Sequence, residues 1–186
     1  DFSLERSIAM PMGPGERFND GTAAPDGTFY CGTIDLGGAA RLFRLHADGR
    51  LDTVLTGLTI SNGISATPDG ERMLYVDSAT KRVDVFDLDA DGIHNRRVHI
   101  DLADADGDPD GIAVDATGGV WVAMWGGRCV RGYDAGGGLV AIIDVPTIQP
   151  SACAFVGADL RTLIITTSTQ DLLPGQDALA QKRKVL

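Results

Sequence analysis

The sequence predicts an all-β fold, a β-propeller of which about four blades are visible. Three observations predict it: a composition rich in turn residues, a motif that recurs four times, and a second landmark with the same period. Gly supplies 24 of the 186 residues, and Asp supplies 23 of the 26 carboxylates, whereas Lys occurs three times. Since Asp and Gly favour turns while Glu and Lys favour helices, this composition indicates short strands joined by tight turns.

The recurring motif is a turn that contains Asp, followed by a strand rich in β-branched and aromatic residues. The copies are Pro25-Asp26-Gly27, Pro68-Asp69-Gly70, Asp115-Ala116-Thr117-Gly118 and Ala158-Asp159. The Asp residues of successive copies are 43, 46 and 44 residues apart. Four strands in ~40–50 residues are typical of a propeller blade, whereas a β-sandwich, the alternative, has no fixed sequence period.

The second landmark is a hairpin turn that follows each of the first three copies. These turns are Asp48-Gly49, Asp91-Gly92 and Gly136-Gly137. Because such pairs between alternating apolar residues indicate β-hairpins, each unit is predicted to consist of a strand, the Asp turn, two strands, the hairpin and a fourth strand. We expect one incomplete propeller domain over residues 1–186, with units at roughly 16–60, 61–108, 109–149 and 150–186.

The charge balance limits the classes of partner. The formal net charge is -10, whereas nucleic acids and anionic membrane surfaces require a basic patch, so neither is expected as a partner. The odd number of cysteines, Cys31, Cys129 and Cys153, without a CxxC pair, predicts buried, reduced thiols and a cytoplasmic protein. The oligomeric state is left open by the sequence.

A third landmark places polar residues just before the predicted innermost strand of each unit. The residues are Asn19, Asn62, Asp110 and Ser151. Equivalent positions of successive blades face one channel, so we expect these oxygen-bearing side chains to meet at its mouth, where they would suit Ca²⁺ or Mg²⁺. The alternative is that the Asn-Gly and Asp-Gly pairs are simply turns. The three histidines fall in or near outer hairpins, which argues against nucleophilic catalysis at the mouth.

Several motifs carry a resemblance to a known family. They are Arg17-Phe18-Asn19-Asp20-Gly21, Ser61-Asn62-Gly63, Tyr75-Val76-Asp77-Ser78, Pro109-Asp110-Gly111 and Trp121-Val122-Ala123-Met124-Trp125-Gly126-Gly127. In order and spacing, from about Arg17 to Thr169, the chain resembles the regucalcin/gluconolactonase family, the senescence-marker-protein lactonases. The resemblance implies a six-bladed propeller that hydrolyses sugar lactones with one divalent metal ion at the channel mouth.

The resemblance also implies roles for four residues. Asn62 and Asp110 correspond to metal ligands, and Asp110 also to the general acid/base that takes a proton from the attacking water. Arg17 and Asn19 correspond to residues that hold the substrate. The metal ion, Ca²⁺ first and otherwise Mg²⁺, Mn²⁺ or Zn²⁺, is expected to polarise the lactone carbonyl.

The sequence departs from the family pattern at the third protein ligand, a Glu in the family's first blade. Only Glu5 and Glu16 precede Asn19, and neither has the matching context. We therefore expect the family's first blade to precede Asp1 and its last to follow Leu186, which leaves an open arc, a weak metal site and little lactonase activity for these residues alone. The alternatives are a phosphotriesterase-like propeller hydrolase and a non-catalytic calcium-binding or interaction propeller or inactive remnant. The sequence does not predict which lactone is hydrolysed.

Overall fold

Residues 7–173 are described by a computed structural model, and they form fourteen β-strands in four antiparallel sheets. Sheet I contains β1 (Arg17–Ala23), β2 (Phe29–Ile34), β3 (Ala40–Leu45) and β4 (Leu51–Leu58). Sheet II contains β5 (Ser61–Ala66), β6 (Arg72–Asp77), β7 (Arg82–Asp89) and β8 (Gly92–Asp101). Sheet III contains β9 (Asp108–Val114), β10 (Val120–Trp125), β11 (Cys129–Tyr133) and β12 (Leu139–Asp144). Sheet IV contains β13 (Pro150–Val156) and β14 (Thr162–Thr167), and one 3₁₀ turn (Ser78–Thr80) follows β6.

Each sheet is a meander in which consecutive strands are neighbours. The first strands of successive sheets, β1, β5, β9 and β13, contact one another in that order and are therefore the innermost strands. The architecture is that of a partial β-propeller, so the predicted fold class is confirmed. Sheet IV has two strands within the described residues, and residues 174–186, which complete the fourth expected unit, lie outside them.

The repeated Asp turns have a common physical cause. In each copy the Asp carboxylate accepts a hydrogen bond from a backbone N–H two residues further on. The donors are Thr28 for Asp26 (2.9 Å), Glu71 for Asp69 (3.1 Å), Thr117 for Asp115 (2.9 Å) and Arg161 for Asp159 (3.2 Å). The side chain thus stabilises the turn that reverses the chain between the first two strands of each sheet.

Three hydrophobic clusters within residues 7–173 lie between neighbouring sheets. Sheet II is buried on both faces: Met73 and Tyr75 pack toward sheet I, whereas Leu74 and Val76 pack toward sheet III. The two-sided burial explains why β6 is almost continuously apolar rather than alternating. None of the helical segments in the described part of the chain has the length and hydrophobicity needed to cross a membrane.

The three cysteines are unpaired thiols. Cys129 and Cys153 are buried, as the sequence predicts, whereas Cys31 is only half-buried, so the prediction of burial was wrong for Cys31. Cys31 lies in the second strand of sheet I.

Candidate functional site

The candidate site begins with an irregularity that the four innermost strands share. In each of them the register with the next strand shifts near its start. The residues at the shifts are Asn19-Asp20, Asn62-Gly63, Asp110-Gly111 and Ser151. A β-bulge leaves its extra residue out of the ladder and redirects its side chain. The prediction that the polar residues precede these strands was therefore wrong, because they lie within them.

One residue from each of the first three bulges lines a cavity of about 630 Å³. Asn19 comes from sheet I, Asn62 from sheet II and Asp110 from sheet III, and Arg17 lies beside Asn19. Ser151 is not among the lining residues; its Oγ lies 2.9 Å from Thr166 Oγ1 on the neighbouring strand. The four residues to which the resemblance gives roles thus share one cavity, while the expected fourth side chain turns to its own sheet.

Asp110 is the carboxylate with the most unusual environment in this cavity. Burial raises its pKa to about 7, and the negative charge of Asp20 acts in the same direction. The Asn62 side-chain amide and the backbone N–H of Gly111 lower the pKa by their polar interaction with the carboxylate, and no cation of the described residues is among the groups that act on it. Asp110 is therefore a half-buried carboxylate whose charge this part of the chain leaves uncompensated.

Asn62 is buried, with 8% of its surface exposed. Its Nδ2 donates to Ser78 Oγ at 3.0 Å. No donor within residues 7–173 occupies its Oδ1, which is left for a group in the cavity. Asn62 and Asp110 together therefore present an amide oxygen and a carboxylate side by side.

Arg17 and Asn19 form the exposed wall of the cavity on sheet I. An Arg17 guanidinium N–H donates to the backbone carbonyl of Phe18 at 3.2 Å and to Asn19 Oδ1 at 3.4 Å. Asn19 Nδ2 donates to the carbonyl oxygen of Ser61 at 3.0 Å, which links sheet I to sheet II. Both side chains are held by the protein while the Arg17 guanidinium keeps further donors for a ligand.

The lining is predominantly acidic. Arg17 is the one cation among the described lining residues, against the carboxylates Asp35, Asp108, Asp110 and Asp171. Asp108 also pairs with Lys81 across 3.3 Å. A concave surface with an excess of negative charge attracts cations.

The donor chemistry fits a hard divalent cation, since amide and carboxylate oxygens are the ligands that Ca²⁺ and Mg²⁺ prefer. Two protein ligands, Asn62 and Asp110, are available, and the described residues contain no group of three His, Cys, Asp or Glu that could hold a metal ion. Glu16 cannot supply the third ligand, because it pairs with Arg41 and accepts a hydrogen bond from Thr33 Oγ1 at 2.7 Å. Glu5 lies outside the described residues.

The structure adds three residues that sequence reasoning missed. Asp20 is half-buried beside Asp110, and burial raises its pKa. Gln149 is buried at the cavity wall, and its Oε1 has no hydrogen-bond partner within residues 7–173. Ser78 contacts Asn62. The sequence signal for Asp20 and Ser78 was their place in the motifs that carry the resemblance, but Gln149 had none.

Comparison with known proteins identifies the family of the chain. Residues 4–169 match the SMP-30/Gluconolactonase/LRE-like region. The chain is 40% identical over 159 residues to pentonolactonase XacC of Haloferax volcanii, covering 83% of this chain and 54% of that protein. It is 38% identical over 171 residues to L-arabinolactonase of Azospirillum brasilense, covering 88% and 56%.

A solved structure shows the same similarity. Regucalcin of Agrobacterium tumefaciens, described as a calcium-binding protein, superposes with a TM-score of 0.84 at 32% identity, covering 90% of this chain and 59% of that one. The chain spans little more than half the length of the relatives it matches. With the matched region, the identities and the fold in agreement, the chain belongs to the SMP-30/gluconolactonase/LRE-like family.

Proposed function

We propose that this chain contributes the cavity wall of a divalent-metal-dependent hydrolase of sugar lactones. The observation that carries the proposal is the convergence of Asn62 and Asp110 in an acidic cavity that also contains Arg17 and Asn19. The lactonase relatives support the substrate class, and the uncompensated carboxylate supports the cation.

A divalent cation held by Asn62 and Asp110, Ca²⁺ by donor preference, would supply Lewis-acid polarisation of the lactone carbonyl. Asp110 accepts a proton from the attacking water at its carboxylate. Water adds to the carbonyl carbon, the ring C–O bond breaks, and the ring oxygen receives the proton from Asp110, which yields the open-chain hydroxy acid. Arg17 donates hydrogen bonds to ring hydroxyls, and Asn19 Oδ1 fixes the Arg17 side chain by accepting a hydrogen bond from its guanidinium.

The proposal is tested by titrating Ca²⁺ into the chain by calorimetry and by following hydrolysis of pentono- and gluconolactones in a pH-stat. We expect weak Ca²⁺ binding and slow, Ca²⁺-dependent turnover. In Asp110→Asn turnover should fall by ~10²-fold or more, the range of acid–base groups. Asp91→Asn, which removes an exposed carboxylate from a hairpin, is the matched control.

The outcomes of these measurements distinguish the lactonase from the two alternative functions. Equal turnover in Asp110→Asn and the unchanged chain contradicts the role of Asp110. Ca²⁺ binding without hydrolysis of any lactone favours a non-catalytic calcium-binding propeller, for which the lack of a third acidic ligand among the described residues is the supporting observation. Preference for a phosphotriester over lactones favours the phosphotriesterase-like alternative.

A further inference from the structure

The Asn62 side chain is held by a two-step hydrogen-bond relay. Its Nδ2 donates to Ser78 Oγ at 3.0 Å, and Ser78 Oγ donates to the backbone carbonyl of Pro109 at 2.6 Å. A carbonyl oxygen only accepts, so the single hydroxyl hydrogen of Ser78 is used there. Ser78 Oγ can then face Asn62 only as an acceptor, which requires the NH₂ group of Asn62 at that position.

The relay therefore determines which end of the Asn62 amide, the oxygen or the NH₂ group, faces the cavity. The oxygen and nitrogen of an Asn side chain have nearly the same shape, and their assignment depends on the hydrogen-bond network. With the NH₂ group directed to Ser78, the Oδ1 atom is the one left for the cavity. Only the oxygen can bind a cation, so the direction of this relay matters for the proposed site.

Ser78 itself is placed firmly. It opens the 3₁₀ turn after β6, 6% of its surface is exposed, and its N–H donates to the Ile60 carbonyl at 3.0 Å. Asp77, the preceding residue, accepts the N–H groups of Thr59 and Ile60 at 3.1 Å and 2.9 Å. The turn is thus bonded to the segment that leads directly into Asn62.

The far end of the relay is equally informative. Pro109 immediately precedes Asp110 on the innermost strand of sheet III. The bond from Ser78 to the Pro109 carbonyl therefore ties the backbone beside Asp110 to the side chain of Asn62 on sheet II. One hydroxyl sets both the orientation of the first candidate ligand and its distance from the second.

We propose that Ser78 is a positioning residue for the cation site: it directs Asn62 Oδ1 into the cavity and fixes Asn62 relative to the strand that carries Asp110. The inference rests on the proposed function for the identity of the ligand, a divalent cation. The orientation of Asn62 itself is measurable without any metal ion.

The first experiment uses the full chain, free of metal, and side-chain ¹⁵N NMR. The sequence contains three asparagines, so the Asn62 NH₂ signals can be assigned against Asn19 and Asn95. In Ser78→Ala we expect exchange of these protons with water to accelerate by ~10-fold or more, because the amide loses its hydrogen bond to the Ser78 hydroxyl. Ser78→Thr, which keeps the hydroxyl, should restore the slow exchange.

The matched control is Thr80→Ala. Thr80 lies in the same turn, and its Oγ1 donates to the Asp77 carbonyl at 2.7 Å without contacting Asn62. The substitution removes a hydroxyl from the turn but should leave the Asn62 signals unchanged. If Thr80→Ala accelerates exchange as much as Ser78→Ala, the effect is general loosening of the turn and the proposal is overturned.

The second experiment measures Ca²⁺ affinity by calorimetry. Loss of a residue that orients a metal ligand typically costs ~10–100-fold in affinity, so Ser78→Ala should weaken Ca²⁺ binding by at least ~10-fold, and Thr80→Ala should not. A chain that binds no Ca²⁺ contradicts the cation of the proposed function, while the metal-free NMR experiment still decides the role of Ser78. Unchanged Asn62 exchange in Ser78→Ala overturns the inference, whatever the chain binds.

Discussion

Gly63 lies directly against the backbone of Asp110: a Cβ atom at Gly63 would be 2.5 Å from the Asp110 carbonyl oxygen. Gly111 has the same relationship to the next sheet, where a Cβ atom would be 2.6 Å from the Cβ of Ala152. These contacts are too short for any side chain, so glycine is needed here for space. The Gly of the Asn-Gly and Asp-Gly pairs thus allows successive innermost strands to approach closely, and the interpretation of these pairs as simple turns is wrong.

Gly63→Ala should therefore destabilise the protein by about 1–3 kcal/mol, the usual cost of an overpacked core, since the neighbouring group is backbone and cannot swing away. Urea unfolding monitored by tryptophan fluorescence measures the change. Gly13→Ala is the control, because the atom nearest to its added Cβ would be 3.5 Å away. Equal stability of the two variants would show that the strands can separate freely.

Asp110→Asn should stabilise the protein in EDTA at pH 8. The pKa of Asp110 is about 7 in the folded protein and ~3.9 in the unfolded chain. The stability that the protonated carboxyl contributes is therefore fully present below pH ~3.9 and is lost as the pH rises through about 7. The advantage of the variant should therefore grow from pH 4 to pH 8 and reach at least about 1 kcal/mol. Asp91→Asn changes the net charge equally and should show no such growth.

Gln149→Met should also raise the free energy of unfolding, by about 1 kcal/mol, because it removes a buried acceptor to which no described residue donates. The same change should weaken binding of a sugar lactone, since Gln149 lies at the cavity wall, where its amide can bond to a ring hydroxyl. Thermal unfolding and lactone titration measure the two effects. Gln170→Met, at an exposed position, should produce no gain in stability; a gain there would point to hydrophobicity alone.

Acid should weaken the protein through Glu16. The hydrogen bonds and charge of Arg41 hold the pKa of Glu16 at about 2, so its stabilising contribution is present above the unfolded value of ~4.3 and is lost as the pH falls toward 2. Urea midpoints between pH 5 and pH 2 should fall more steeply for the unchanged chain than for Glu16→Gln. The exposed Glu71→Gln should follow the unchanged chain; parallel curves for all three would contradict the role of the Glu16–Arg41 pair.

The sequence predicted the sheets well because their signals are local and repeated. Each Asp turn is stabilised by its own carboxylate, and each hairpin is encoded by adjacent residues, so a period in the sequence becomes a period in the fold. The bulges were not predictable from composition, because an irregular register depends on the partner strand. The expected position of Ser151 failed for this reason: its hydroxyl has a partner, Thr166, on the adjacent strand.

The remaining features of the site depend on burial and on distant contacts. The raised pKa of Asp110 results from its surroundings in three sheets, and the lack of a partner for Gln149 Oε1 among residues 7–173 is a property of the packed cavity. Ser78 lies within a motif that the sequence made conspicuous, but its bond to Pro109 joins residues that are 31 positions apart. A contact between residues so far apart in the chain has no local sequence pattern from which it could be predicted.

At the bulges of β5 and β9, adjacent residues have different roles. Asn62 and Asp110 stand outside the regular ladder, so replacing their side chains should leave the pairing of the sheet intact, whereas a Cβ atom on the glycine that follows each of them would lie 2.5 Å or 2.6 Å from the neighbouring strand. The first residue of each pair can therefore vary with the ligand, while the glycine after it is constrained by the packing of the strands. A protein built in this way can acquire a different ligand preference by substitutions at single positions around the channel without changing the pairing of its strands.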